Sequence, residues 1–213
     1  MAILHKGLFG PITGKISGLV TSSWKGINYV REASEKSSKP RTVAQIAVQE
    51  KFKFVHQLVK PLSPYFTAGF YHKAIRKTEY NVGYSKNYKE ALTGVYPDLV
   101  VDYSKITISE GRLSMLEDVV LTQTASQTLG ISWNAAHPKT YAEFDDQLMV
   151  AILCTEEGLA DGFIGGTRRD DEHCTIKISS KMIGKEIAVY LGVYSLNQLH
   201  VSNSQFLGKF IAI

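Results

Sequence analysis

The chain has only two cysteines among 213 residues, and it has no long run of apolar residues. Cys154 and Cys174 follow no zinc or redox spacing, so we expect two buried free thiols rather than a disulfide scaffold. No stretch approaches the roughly 18 apolar residues that cross a bilayer. Glycine and proline interrupt the first apolar residues too early for a secretory signal. The sequence therefore predicts no membrane span, no cleavable signal peptide, and a cytoplasmic location or a place in a released particle.

Motifs for chemistry are also missing. The stretch GPITGKIS is short of a phosphate-binding loop, because only three residues separate Gly10 from Gly14 and Ile16 stands where Ser or Thr would bind magnesium. The stretch RRDDEHC, residues 168–174, collects carboxylates, a histidine and a thiol. Neighbouring residues on a strand point to opposite faces, and the glycine-spaced calcium pattern is absent, so we expect a solvated loop. No catalytic, cofactor-binding or metal-binding set emerges, and we expect no cofactor and no enzyme activity.

Charge is divided unevenly along the chain. Residues 1–100 hold 15 Lys and Arg against 6 Asp and Glu, a net charge of +9, whereas residues 101–213 have a net charge of −5. A basic half joined to an acidic half indicates an anionic partner or head-to-tail self-association. Two solvated surfaces of unlike sign on one monomer would give the same count. We place a basic domain at 1–100 and an acidic one at 101–213.

The glycine-rich start predicts a β-hairpin. The segment LVTSSWKGINYVRE is typical of two short strands joined at Lys25-Gly26. Alternation places Val20, Ser22 and Trp24 on one side of the first strand, and residues 27, 29 and 31 alternate on the second.

Helices are predicted next. Pro40, followed by Thr42 and Gln45 as a capping box, marks a helix start, and Pro61 ends the helix. Six apolar residues at helical spacing are expected to pack on the same domain: Ala44, Ala47, Val48, Phe52, Val55 and Val59. Ser63 and Pro64 predict a second helix with serine as its cap. A third helix is predicted from Ser85 to Gly94.

From Leu99 onward the pattern is that of strands separated by turn residues. The predicted strands are Leu99–Ile108, Arg112–Leu121, Thr128–Asn134, Gln147–Cys154, Phe163–Thr167, Cys174–Ser180, Glu186–Ser195 and Gln205–Ile213. This spacing predicts an antiparallel β-sandwich. The segments LGISWN, LMVAILC and IAVYLGVYS resemble the B, C and F strands of a fibronectin type III-like domain, with Trp133 as the buried tryptophan. The predicted class is α+β: an N-terminal Gly-rich β-hairpin and helices, then a C-terminal immunoglobulin- or fibronectin III-like sandwich.

The first half resembles a particular family. Its characteristic residues are Gly14, Lys15, Gly18, Trp24, Lys25, Gly26, Arg31, Pro40, Arg41, Thr42, Ala44, Gln45 and Phe52. They resemble the head of an uncharacterised domain family of about this length, common in Bacteroidetes bacteria. Later stretches such as YNVGYSKN and YPDLVVDYSKITISEG are similar as well. Related Pro-Arg-Thr heads occur on phage and mobile-element proteins, so the resemblance favours an assembly protein, while the family itself has no established activity.

Two functions remain open on these grounds. The first is a non-enzymatic structural protein that forms homo-oligomers or joins a larger complex of the phage or appendage type. The second is a nucleic-acid-associated accessory protein, because the basic half combines cations with aromatic residues. The candidate partner-binding residues are the same for both: Lys15, Trp24, Lys25, Arg31, Lys39 and Arg41.

Overall fold

A computed structural model of the chain describes residues 3–4, 12–35, 39–135 and 142–213. The contacts divide it into two compact units, Met1–Gln45 and Ile46–Ile213. We call them the N-terminal unit and the main unit. Helices and antiparallel strands are both present, so the predicted α+β class is confirmed.

The N-terminal unit is a four-stranded antiparallel sheet in chain order. Its strands are β1 (Ile3–Leu4), β2 (Ile12–Ile16), β3 (Leu19–Trp24) and β4 (Ile27–Glu32). Lys25 and Gly26 alone connect β3 to β4, and both have positive φ, 44° and 79°. A two-residue connection with this geometry matches the right-handed twist of the strands it joins, and glycine takes the second position without steric cost. The strands β3 and β4 therefore pair in one fixed register.

In the described residues, three α-helices follow: α1 (Val43–Val59), α2 (Ser63–Gly69) and α3 (Glu79–Glu90). The capping box at the start of α1 is confirmed. The main-chain N–H of Gln45 donates to Thr42 Oγ1 at 3.3 Å, and the main-chain N–H of Thr42 donates to Gln45 Oε1 at 3.0 Å. The expectation that the whole apolar face of α1 is packed is wrong. Only Val55 and Val59 are buried. Phe52 packs on α3, where its ring stacks on Tyr84 and Tyr88, but it stays half-exposed, and so does Val48.

Two further helix predictions need correction. Ser63 does not cap α2, because the chain enters that helix from a 3₁₀ turn, Lys60–Leu62, and the Ser63 amide donates to Lys60 O. The third helix does not start at Ser85 but at Glu79, where the Thr78 hydroxyl accepts from the Asn81 amide at 3.1 Å. Threonine at this position satisfies one of the free amides of the first turn.

The remaining strands lie in the main unit. The hairpin of β5 (Leu92–Val95) and β6 (Asp98–Val101) comes first. The later strands are β7 (Glu117–Ala125), β8 (Thr128–Asn134), β9 (Gln147–Cys154), β10 (Leu159–Arg168), β11 (His173–Lys177), β12 (Glu186–Tyr194) and β13 (Gln205–Ile211). They form two antiparallel sheets, in the orders β10-β9-β12-β13 and β11-β8-β7.

The two sheets enclose one core, and the helices cover the outer face of the larger sheet. On β9, Leu148, Val150 and Ile152 pack towards the smaller sheet. The intervening Met149, Ala151 and Leu153 pack with the helices. Side chains alternate along a strand, so β9 needs apolar residues at every position to bury both faces.

The packing does not follow the predicted domain boundary between residues 100 and 101. Phe66 and Phe70 of the helical segment share a buried cluster with Tyr190 of β12. The helices and the strands therefore form one compact unit, and the contacts divide the chain after Gln45 instead. The change in the sign of the charge near residue 100 reflects surface residues and does not mark a boundary between two cores.

The strand predictions agree best where alternation is regular. Residues 128–134 and 147–154 form strands with the predicted bounds, and the burial of Trp133 is confirmed. Strand β6 is shorter than predicted because the Asp102 carboxylate accepts from the Ser104 amide at 3.1 Å and starts a 3₁₀ turn. Strand β7 begins five residues later than predicted, at Glu117.

Candidate interaction surface

The pairing of β2, β3 and β4 decides which side chains share a face of the N-terminal sheet. Val20 is paired with Lys15 on one side and with Arg31 on the other. Residues directly opposite each other in an antiparallel pair project to the same face. The two cations therefore lie in one row across three strands. Because neighbouring strands are about 5 Å apart, the backbones of Lys15 and Arg31 are separated by about 10 Å.

Aromatic residues continue the same face towards the hairpin turn. Tyr29 is paired with Ser22, and Ile27 with Trp24. Trp24 and Tyr29 are 42% and 43% exposed to solvent. We call this surface the cationic face, and its members are Lys15, Val20, Ser22, Trp24, Ile27, Tyr29 and Arg31.

The opposite face of the sheet differs in chemistry. Ile16 and Leu19 are paired, and both side chains are exposed. Val30, paired with Thr21, is 62% exposed. We call this surface the apolar face, and its members are Gly14, Ile16, Leu19, Thr21, Ser23, Asn28, Val30 and Glu32.

Four of the six predicted partner-binding residues are brought together. Lys15, Trp24 and Arg31 share the cationic face, and Lys25 occupies the turn with its Nζ 5.9 Å from the Trp24 ring centroid. Lys39 and Arg41 are exposed in the segment before α1 and lie outside the sheet. Tyr29 was not among the predicted residues, although strand alternation read outward from the turn places it beside Trp24. The role of these residues stays a prediction.

The N-terminal unit differs from the main unit in its burial. None of residues 12–35 and 39–45 is buried. In the described part of the chain, the two buried clusters contain only residues between Val55 and Ala212. A sheet normally buries one apolar face, whereas in the described part of this unit neither face of the sheet has a buried side chain.

A buried ion pair corrects the expectation for the RRDDEHC stretch. Arg169 is buried, and its Nε donates to Asp146 Oδ2 at 3.2 Å, while its Nη2 donates to Ser114 O at 2.7 Å. The solvated loop was therefore a wrong prediction for Arg169. Desolvation raises the pKa of the Asp146 carboxyl, although Arg169 acts in the opposite direction. Because both side chains are enclosed, this pair can join segments of the sandwich but cannot reach a substrate.

The cysteines have no reactive environment. Both are buried free thiols, as predicted. Burial raises the pKa of Cys174 to about 11, so the thiol stays protonated and is a poor nucleophile. Among the residues that the structure describes, no cluster of three or more His, Cys, Asp or Glu could hold a metal ion.

One cleft of the main unit holds ionisable groups. It has a volume of about 670 Å³, and His72 and His200 are among its lining residues. Glu110 in this cleft pairs with Lys73 at 2.6 Å and with Lys86 at 3.1 Å. Desolvation and the nearby Lys73 lower the pKa of His72. The carboxylate is thus already neutralised by two lysines, which favours a structural role.

No helix in the described parts of the chain has the length and apolar content needed to cross a membrane.

The main unit defines the class: an antiparallel two-sheet sandwich with a layer of helices on one sheet. The chain belongs to the family of unknown function DUF6266, whose model matches residues 11–208. The predicted membership of an uncharacterised family is thereby confirmed.

Comparison with other known proteins adds little. No curated protein matches the sequence. Among solved structures, one described as a myokine is 11% identical with a TM-score of 0.35, covering 47% of this chain and 98% of its own. A fibronectin type III domain of human collagen alpha-1(XX) is 13% identical with a TM-score of 0.33, covering 47% of this chain and 85% of its own. The resemblance to fibronectin III domains is weak.

Proposed function

We propose that this is a non-enzymatic structural protein whose N-terminal sheet contacts a second copy of the chain, giving homo-oligomers or a larger assembly of the phage or appendage type. One observation carries the proposal: none of residues 12–35 and 39–45 is buried, although the sheet presents large apolar side chains on its surface. An open sheet of this kind gains stability when a partner covers a face.

The apolar face is the surface that such a contact would bury. Ile16, Leu19 and Val30 are all exposed on it. Because about half of each side chain is already covered, its full burial would contribute roughly 1 kcal/mol. The residues around the chain reversals, including Gly18 and Gly26, lose much conformational entropy on ordering, which burial against a partner would offset.

The edge strand β4 supports a second copy as the partner. It ends the sheet order, and all six of its residues are exposed. An edge strand of one protomer can pair with an edge strand of the sandwich in another, and such a head-to-tail contact closes into a ring or extends into a filament. Residues 1–45 carry seven Lys and Arg against two Asp and Glu, a net charge of +5, whereas residues 46–213 carry 17 against 18, a net charge of −1. Two N-terminal units would repel each other, which favours contact between an N-terminal unit and a main unit.

Sedimentation velocity of the full-length protein at high concentration and low salt tests the proposal. We expect oligomers, and we expect Leu19→Thr with Val30→Thr to shift them to monomer, because threonine keeps strand propensity but removes apolar area. Val100→Thr is the matched control, since Val100 lies on β6 and is 60% exposed. A wild-type protein that sediments as a monomer under these conditions would overturn the proposal.

A further inference from the structure

We propose that the cationic face of the N-terminal sheet binds single-stranded nucleic acid. This inference goes beyond assembly, because it concerns the face opposite the apolar one. It depends on the row formed by Lys15, Val20 and Arg31 and on the aromatic pair Trp24 and Tyr29.

The cations are placed to meet phosphates at both ends of the face. Lys15 and Arg31 lie at one end, and Lys25 lies at the hairpin turn beyond Trp24. The two carboxylates of residues 1–45 do not interrupt them within the sheet. Glu32 is paired with Leu19 and so belongs to the apolar face, and Glu35 follows the last strand. The face therefore has a consistently positive charge, which an anionic backbone complements.

The aromatic side chains lie between these cations. Trp24 and Tyr29 occupy diagonal positions on neighbouring strands, about 7–8 Å apart. Both remain about two-fifths exposed, which leaves ring surface available for contact. Bases stack on aromatic rings that are presented by an open sheet, with phosphates held by cations nearby.

This arrangement favours a single strand over a duplex and over a protein partner. Bases of a duplex are stacked on one another and cannot reach a ring on a flat sheet without being unpaired. A protein partner would be expected on the apolar face, where charge is nearly absent. Stacking is also tolerant of sequence, so we expect little discrimination between bases.

Fluorescence anisotropy with labelled oligonucleotides on the full-length protein provides the test. A 20-nucleotide oligo-dT, an oligo-rU and a duplex of the same length are titrated at low salt. We expect binding of the single strands, at least tenfold tighter than the duplex, with a steep loss of affinity as salt rises. Lys15→Gln with Arg31→Gln should weaken binding by tenfold or more and reduce the salt dependence.

Two further variants separate charge from stacking. Trp24→Leu should weaken single-strand binding by roughly tenfold while leaving the salt dependence unchanged. Lys177→Gln with Arg112→Gln removes the same charge from exposed positions of the main unit and should leave affinity within about twofold. Circular dichroism and thermal unfolding of each variant check that the fold is retained.

The possible results all bear on the proposal. Absence of oligonucleotide binding at low salt would overturn it. So would a loss of affinity in Lys177→Gln with Arg112→Gln as large as that in Lys15→Gln with Arg31→Gln. Duplex binding as tight as single-strand binding, or no effect of Trp24→Leu, would reject the stacking part and with it the preference for single strands. Loss of oligomers in Lys15→Gln with Arg31→Gln, with oligonucleotide affinity unchanged, would instead identify this face as a protein contact and overturn the proposal. Leu19→Thr with Val30→Thr should leave oligonucleotide affinity per protomer unchanged, so failure of the assembly proposal and failure of this one are distinguishable.

Discussion

The indole nitrogen of Trp133 donates a hydrogen bond to the main-chain oxygen of Arg169, 2.6 Å away, next to the buried pair that Arg169 forms with Asp146. The Arg169 amide in turn donates to Asp146 O at 2.9 Å. Strand β8, the turn after β10 and the segment before β9 are thus joined through one arginine. A core tryptophan and a buried ion pair depend on the same residue.

Replacing Arg169 should therefore destabilise the main unit strongly. Arg169→Met leaves the Asp146 carboxylate buried without its cation and removes the donors to Ser114 O and Met115 O. Breaking a buried pair in this way typically costs about 3–5 kcal/mol of unfolding free energy. Denaturant unfolding followed by tryptophan fluorescence measures the loss, and Arg112→Met, at an exposed arginine, is the control. A loss below about 1 kcal/mol would show that the pair contributes little.

A second prediction concerns Gly83 on α3. Alanine is favoured over glycine within a helix by about 1 kcal/mol. A Cβ at position 83, however, would lie 2.6 Å from the ring of Phe66, which is fully buried and cannot move aside freely. Overpacking of this kind costs about 1–3 kcal/mol, so Gly83→Ala should lower the free energy of unfolding despite its helix propensity.

The matched control for Gly83 is on the same helix. Ser85 is exposed on α3, so Ser85→Ala should gain a few tenths of a kcal/mol from propensity alone. Thermal unfolding of the two variants should move in opposite directions. A rise in both unfolding temperatures would mean that the Phe66 ring has room to shift.

Acid stability should depend on Glu110. The hydrogen bond from Lys73, with that from Lys86, lowers the pKa of Glu110 below its usual 4.5 in the folded state. A carboxyl whose pKa is depressed by folding contributes stability that is fully present above the unfolded pKa and is lost as the pH falls through the folded pKa. Glu110→Gln should therefore be less stable than wild type at pH 6, and the difference should shrink below pH 4.

The measurement is the free energy of unfolding by denaturant between pH 2 and pH 7. The control is Glu117→Gln, which replaces an exposed carboxylate on β7. Its difference from wild type in the free energy of unfolding should not shrink in the same way at low pH. A difference between wild type and Glu110→Gln that stays constant over this range would contradict the assigned role of Lys73 and Lys86.

Local patterns in the sequence predicted part of this structure. The Thr42 capping box and the strands 128–134 and 147–154 depend on neighbouring residues, so they could be read directly. The alternation of Val20, Ser22 and Trp24 and of residues 27, 29 and 31 was predicted once Lys25-Gly26 fixed the hairpin, whereas the pairing of Lys15 with Val20 was not. These features need no information from distant parts of the chain.

Features that depend on distant contacts could not be read in the same way. The helices between Val43 and Glu90 cover a sheet that begins at Gln147, and charge counting placed a boundary between them. Arg169 is buried by Ser114, Met115 and Asp146, none of which is near it in sequence. The exposed half of α1 has the same apolar spacing as the buried half, so periodicity alone did not distinguish them.

The last prediction concerns removal of residues 1–36. Among the residues that the structure describes, both buried clusters contain only residues from Val55 to Ala212, so this deletion removes none of their side chains, and it keeps Thr42 and Gln45 at the start of α1. We expect the remaining chain to fold, with a calorimetric unfolding temperature within about 2 °C of the main transition of the full-length protein. Deletion of residues 1–60 is the contrasting variant, because it removes Val55 and Val59 and should lower the unfolding temperature markedly. If the first deletion lowers it as much as the second, the N-terminal unit stabilises its own main unit, and the contact with a second copy proposed above loses its support.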